Sequence, residues 1–114
     1  MAPALLHRGP MSDQVELVRH EWDEGYRRLE SERGAQRRYR HLVDQVNVVV
    51  DELRKRVGGK YSLAELAAAY ADADRWARAA VEERAPSPGW PRDLALVLAA
   101  AFHAYQRGAT DYAS

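Results

Sequence analysis

The chain has 114 residues, of which 46% are hydrophobic and 30% are charged, which is typical of one globular domain. Its 17 basic residues cancel its 17 acidic ones, so no overall charge attracts it to nucleic acid or to anionic lipid. The absence of cysteine excludes disulfide bonds, thiolate metal sites and a thiol nucleophile.

The N-terminal residues do not have the pattern of a targeting segment. The apolar stretch near Met1 is broken by Pro3 and is too short for a signal peptide. The uncharged run from Leu94 to Gln106 is shorter than the ~20 residues of a membrane helix. We therefore expect a cytoplasmic protein with no membrane contact, a disordered tail over residues 1–10, and a single helical domain over residues 11–114.

Apolar residues follow a heptad pattern through the first half of the chain. From Val15 to Val57 they recur at alternating spacings of three and four residues. Gly34 is the one helix breaker between Gly25 and Gly58, and no good N-cap residue follows it. The pattern predicts an all-α fold with a long N-terminal helix over about 13–57. The alternative is an up-down four-helix bundle with a turn at Gly34.

Two further helices are predicted after this region. Ser62 and Glu65 have the spacing of a capping box, which predicts a helix over about 62–84. A proline-rich turn over 85–91 precedes a last helix over about 91–107. We expect these two helices to form an antiparallel pair on the C-terminal half of the long helix.

This arrangement leaves part of the long helix uncovered. At ~1.5 Å per residue the long helix measures about 65 to 70 Å, whereas the later helices measure about 35 and 25 Å. An exposed apolar stripe is costly, so a partner helix should cover it, and a second copy is the simplest partner. The sequence therefore predicts a coiled-coil homodimer in which the partner-binding residues are Val15, Val18, Trp22, Tyr26 and Leu29.

Arginines cluster in the middle of the predicted long helix, at Arg33, Arg37, Arg38 and Arg40. Residues 33–60 contain eight basic and three acidic side chains, whereas residues 11–32 contain three basic and seven acidic ones. Opposite charges of this kind set helix pairing and register. The alternative interpretation is a basic strip that binds nucleic acid.

The sequence contains no recognisable catalytic pattern. No two of its four histidines are spaced to share a metal on one helix, and no serine lies in a nucleophile elbow. We predict a protein that is not an enzyme and needs no metal or cofactor. The predicted function is a protein–protein interaction module, an adaptor or regulator in the cytoplasm. The alternative is a nucleic-acid-associated regulator that binds through Arg33 to Arg40.

Overall fold

The computed structural model describes the backbone of residues 3–82 and 90–109, and the side chains of residues 15–80 and 93–109. Within these ranges the chain forms α1 (Pro3–Glu30), α2 (Gln36–Arg56), α3 (Leu63–Glu82), α4 (Trp90–Tyr105) and a 3-10 turn (Gln106–Gly108). The all-α prediction is confirmed. Residues 3–10, where a disordered tail was predicted, belong to the backbone of α1. Residues 85–89 of the turn predicted over 85–91 lie outside the described residues, and that turn stays a prediction.

The prediction of one continuous helix over 13–57 is wrong, because the chain turns between α1 and α2. Backbone hydrogen bonds from Glu32 to Leu29 and from Arg33 to Glu30 span three residues instead of four, which tightens the end of α1. A further bond from Ala35 to Glu32 closes a second tight turn. α2 then starts at Gln36 without a side-chain cap. The three-residue bonds thus satisfy carbonyl groups at the end of α1 and in the turn, while the first turn of α2 has no side-chain cap.

Side-chain contacts show that α1 and α2 run in opposite directions. α1 is antiparallel to α4, since Trp22 packs on Phe102 while Gly25, further along α1, faces Ala99. α2 is parallel to α4, because its first turns contact the start of α4 and its end contacts Tyr105. The chain therefore reverses at residues 31–35, as in the alternative prediction of an up-down four-helix bundle.

α3 continues this alternation of direction. The Arg56 guanidinium near the end of α2 lies over the ring of Trp76, 5.1 Å from its centroid. Val48, two turns earlier on α2, lies in the same groove as Ala80, one turn later on α3. α3 is therefore antiparallel to α2.

α4 lies among the other three helices and contacts each of them. Of its side chains from position 93 to 102, all are buried except Ala95. A helix that is apolar on every side has to be covered on every side. α3 and α4 are antiparallel and in contact, as predicted, but their docking on the second half of a long rod is wrong: α4 packs most extensively on α1 and lies between α1 and α2.

The buried face of α2 also differs from the heptad phase extrapolated from α1. The heptad that runs from Val15 to Val57 continues through Val43, Val46, Val50 and Leu53. Val46 and Leu53 are buried, but Leu42 and Val49 are fully buried in place of Val43 and Val50. The turn at 31–35 is not helical, so it does not carry the angular phase of α1 into α2. One turn of the chain thus changes both the direction and the buried face of the second helix.

The connection between α2 and α3 is hydrogen-bonded to the end of α4. The Tyr105 hydroxyl donates to the carbonyl of Gly58 at 2.6 Å, and the Tyr61 hydroxyl donates to the carbonyl of Tyr105. Gly58 has a φ of +85°, which favours glycine at this helix end. The predicted capping box is present, with Ser62 and Glu65 bonded to each other's backbone N–H groups.

Candidate interaction surface

The stripe predicted to bind a partner faces the core of the bundle. Trp22 is completely buried against Tyr70 and Phe102, and Leu29 is only 6% exposed. Val15 and Val18 lie at the edge of the core, and Tyr26 is 37% exposed and stacks on the His103 ring. An apolar stripe left in water was the premise of the predicted coiled-coil homodimer. That premise is wrong, because α4 covers the stripe within one chain.

Two of the four clustered arginines form ion pairs with carboxylates of the same chain. The Arg33 guanidinium binds the Glu30 carboxylate and lies over the ring of Tyr39, 5.5 Å from its centroid. Arg38 donates to the carboxylate of Asp93 at 2.9 Å, and Asp93 is only 3% exposed. The Asp93 carboxylate raises the pKa of Arg38, which therefore stays charged. These two arginines stabilise the turn and the start of α4.

The other two clustered arginines are exposed. Arg37 and Arg40 lie beside His41 and Asp44 around a shallow depression on α2. Neither arginine forms an ion pair within the part of the chain that the structure describes. The four-arginine strip predicted from the sequence is thus reduced to two free guanidinium groups with a carboxylate beside them.

A groove of about 420 Å³ runs along the junction of α1 and α4. Its floor is made of small or apolar residues, and its rim is made of polar ones. The floor consists of Gly25 on α1 with Ala95, Leu96 and Ala99 on α4, and the rim consists of His20, Glu21, Glu24 and Arg28 on α1 with Tyr70 on α3.

Gly25 determines how closely α1 approaches α4 at this groove. A Cβ atom at position 25 would lie 2.2 Å from the Cβ of Ala99 and 3.3 Å from the backbone nitrogen of Ala100. The first distance is far below the ~3.5 to 4.0 Å of an ordinary carbon–carbon contact. Only glycine fits here, and the resulting close approach of the two helices makes the groove shallow.

One carboxylate of the rim is held in place by α3. The Tyr70 hydroxyl donates to Glu21 Oε1 at 2.9 Å. Burial, and then the hydrogen bond to Glu21, raise the pKa of Tyr70 well above its usual value. Tyr70 therefore remains a hydrogen-bond donor at neutral pH, and the Glu21 carboxylate keeps a fixed position at the edge of the groove.

Two charges on the rim have no ionic partner of their own. Glu24 lies 3.5 Å from Arg27, one turn later on the same helix. Glu21 and Arg28 form no ion pair among the residues whose side chains the structure describes. The rim thus presents one unneutralised negative group and one unneutralised positive group.

Leu17 lies one turn before Glu21, on the same face of α1 as Glu24 and Arg28. Its side chain is 65% exposed. It borders a second shallow depression, which is lined also by His20, a residue shared with the groove. Leu17 was missed by the sequence analysis. The available signal was an apolar residue placed outside the apolar stripe of α1.

On the other flank of α1, a half-buried histidine of α4 packs against two α1 side chains. The His103 ring stacks on Tyr26 with ring centroids 4.3 Å apart, and its Nε2 lies 3.4 Å from Asp23 Oδ1. Burial lowers the pKa of His103, Asp23 opposes this effect, and Arg107 adds to it. The histidine is therefore neutral at pH 7 and contributes to the packing of α1 on α4.

No group of three or more metal-binding side chains is placed to hold an ion within residues 15–80 and 93–109. None of the described helices is long and apolar enough to cross a membrane. Comparison of the chain with protein families, with curated proteins and with solved structures found no match.

Proposed function

We propose that the protein is a non-enzymatic interaction module, an adaptor or regulator in the cytoplasm, that binds a protein partner through the groove between α1 and α4. The observation that carries the proposal is the exposure of Leu17 beside this groove. Among the described side chains, the large exposed apolar ones are Leu17 and Tyr26, and Tyr26 is already stacked on His103. Covering this 65% exposed leucine contributes about 1 to 2 kcal/mol before the entropic cost of association.

The shape and chemistry of the groove suit a helix of a partner protein. Its floor of Ala95, Leu96 and Ala99 presents little side-chain bulk, so another helix can approach closely. The charged rim supplies groups that orient the partner, as polar rims do in known interfaces. An amphipathic helix laid in an apolar groove is a common mode of protein recognition.

Site-specific photo-crosslinking in cells tests this proposal. A photo-reactive amino acid at Ala95, which is exposed in the groove, should form an adduct with a partner protein. The same amino acid at Ala68, which is exposed on α3 outside the groove, is the matched control. Leu17→Glu should abolish the Ala95 adduct without changing the helical circular dichroism. Equal adducts at both positions, or an Ala95 adduct unaffected by Leu17→Glu, would contradict the proposal.

Nucleic-acid binding is the second candidate function, and the free guanidinium groups of Arg37 and Arg40 favour it. Two phosphate contacts would give weak binding that falls with salt at a slope of about −2 on a double logarithmic scale. Titration of labelled duplex and single strand at two salt concentrations measures this slope. Loss of binding in an Arg37→Gln, Arg40→Gln double variant would support the candidate, whereas no binding at low salt would dismiss it.

A further inference from the structure

We infer that the groove between α1 and α4 is occupied by a second copy of this chain, with the two α1 helices antiparallel across a two-fold axis and Glu21 of each copy paired with Arg28 of the other. This inference rests on the proposed function, because it names the partner that the groove accepts. It replaces the predicted coiled-coil homodimer with a dimer through the flank of α1 beside the predicted stripe.

The charges on the rim are the basis for this choice of partner. Glu24 is neutralised by Arg27, whereas Glu21 and Arg28 form no ion pair within the described residues. Glu21 and Arg28 are seven residues apart, which is two helical turns, so both point from the same face of α1. Their positions along the axis differ by ~10.5 Å, which is too far for them to neutralise each other within one chain.

An antiparallel second copy satisfies both charges at once. If Glu21 lies opposite Arg28 of the second copy, two-fold symmetry places Arg28 opposite Glu21 of the second copy. The axis then passes between positions 24 and 25, beside the close Gly25–Ala99 contact. A parallel pairing in register would instead place like charges together. The Tyr70 hydroxyl already holds Glu21 in position, so little side-chain freedom is lost on pairing.

Leu17 lies at the edge of this arrangement. The same register places Leu17 opposite the turn that follows α1 in the second copy, so two exposed leucines are covered in one dimer. The apolar part of the interface is small, since it consists of Leu17 with the short side chains of the groove floor. We therefore expect a reversible dimer that dissociates on dilution and weakens as salt is added.

Charge reversal with reciprocal rescue tests the pairing. The full-length chain is measured by sedimentation equilibrium as wild type, Glu21→Lys, Arg28→Glu and the double variant. Each single variant replaces two attractive pairs by two repulsive ones, so each should weaken dimerisation at least ~10-fold. The double variant restores two opposite-charge pairs across the axis and should dimerise within ~3-fold of wild type. Arg37→Glu, an exposed charge reversal on α2, is the matched control and should leave the dimer unchanged.

Each other outcome has a definite meaning. A wild-type particle that stays at 12.9 kDa up to high micromolar concentration overturns the inference. Single variants that dimerise like wild type, or a double variant without rescue, overturn the Glu21–Arg28 pairing. The mass of the Ala95 crosslink separates this inference from the proposed function. An adduct of twice the chain mass supports both, an adduct of any other mass supports the function alone, and the absence of an adduct contradicts the function.

Discussion

Replacement of Gly25 by alanine should destabilise the protein, although alanine is the better helix former. The new methyl group would lie 2.2 Å from the Cβ of Ala99, so α1 and α4 would have to separate by more than ~1 Å. Overpacking of a core typically costs about 1 to 3 kcal/mol, and an overlap this deep belongs at the upper end. The helix propensity of alanine returns about 1 kcal/mol. We expect a net loss of about 2 kcal/mol in the free energy of unfolding.

Urea denaturation followed by circular dichroism measures this loss, and thermal unfolding should show a fall in Tm of about 8 °C. Gly34→Ala is the matched control. Nothing lies within 4 Å of a Cβ built at position 34, and Gly34 has no positive φ. This variant should be as stable as wild type or more stable by up to ~1 kcal/mol, because alanine restricts the unfolded chain.

Ala99→Gly provides the compensating change. It removes the atom that the methyl group introduced at position 25 would strike, at a cost of about 1 kcal/mol for a glycine inside a helix. In the Gly25→Ala background this second change should therefore stabilise the protein, whereas alone it should destabilise it. The sign change is the signature of direct contact in a double-mutant cycle. A Gly25→Ala protein as stable as wild type would refute the close packing of α1 on α4.

Three further changes test other contacts of the bundle. Arg38→Met leaves the buried Asp93 carboxylate without its ion pair, and urea denaturation should show a loss of about 2 kcal/mol; a loss below ~0.5 kcal/mol would mean that solvent reaches Asp93. His103 has a pKa below 6.5 in the folded protein, so the folded state binds fewer protons than the unfolded state. The contribution of neutral His103 to the free energy of unfolding is complete above pH 6.5 and is lost as the pH falls from 6.5 through the folded pKa. His103→Gln should therefore flatten the dependence of the free energy of unfolding on pH in this window. An unchanged dependence would disprove the lowered pKa of His103. Tyr70→Phe removes the hydroxyl that binds Glu21 and should cost about 1 kcal/mol, while an unchanged stability would show that the bond to Glu21 contributes nothing in water.

The parts of the fold that depend on local signals could be predicted from the sequence. α3 and α4 begin and end within two residues of the predicted bounds, because a capping box, glycines and prolines act on their immediate neighbours. The turn at 31–35 has a weaker local signal, because Gly34 marks it but no N-cap residue follows. It forms because folding back lets α1 and α2 both pack on α4.

A signal for this folding back was present in the last helix. Every residue from Leu94 to Phe102 is apolar, and two short helices packed on a rod cannot surround such a segment. The heptad pattern was ambiguous within α2, because consecutive valines at positions 48–50 fit two phases equally well. The pattern therefore could not reveal that Leu42 and Val49, instead of Val43 and Val50, join Val46 and Leu53 on the buried face of α2.

The sequence identified side chains that must be covered, but it did not identify the groove between α1 and α4. Trp22 and Leu29 were correctly identified as side chains that must be covered, but their cover comes from α4 rather than from another chain. The groove depends on Tyr70, from α3, and on Leu96, from α4, meeting α1 at one place. This combination is set by tertiary packing, and no spacing within one helix encodes it.

The central position of α4 has a consequence for biosynthesis. Translation produces this helix after α1, α2 and α3, so the ribosome releases three amphipathic segments whose common docking element does not yet exist. Until residues 90–105 emerge, Trp22, Leu42 and Leu66 have no completed interior to enter. The nascent chain should consequently remain protease-sensitive and bind chaperones until α4 has emerged, and then acquire its protected form in one cooperative step.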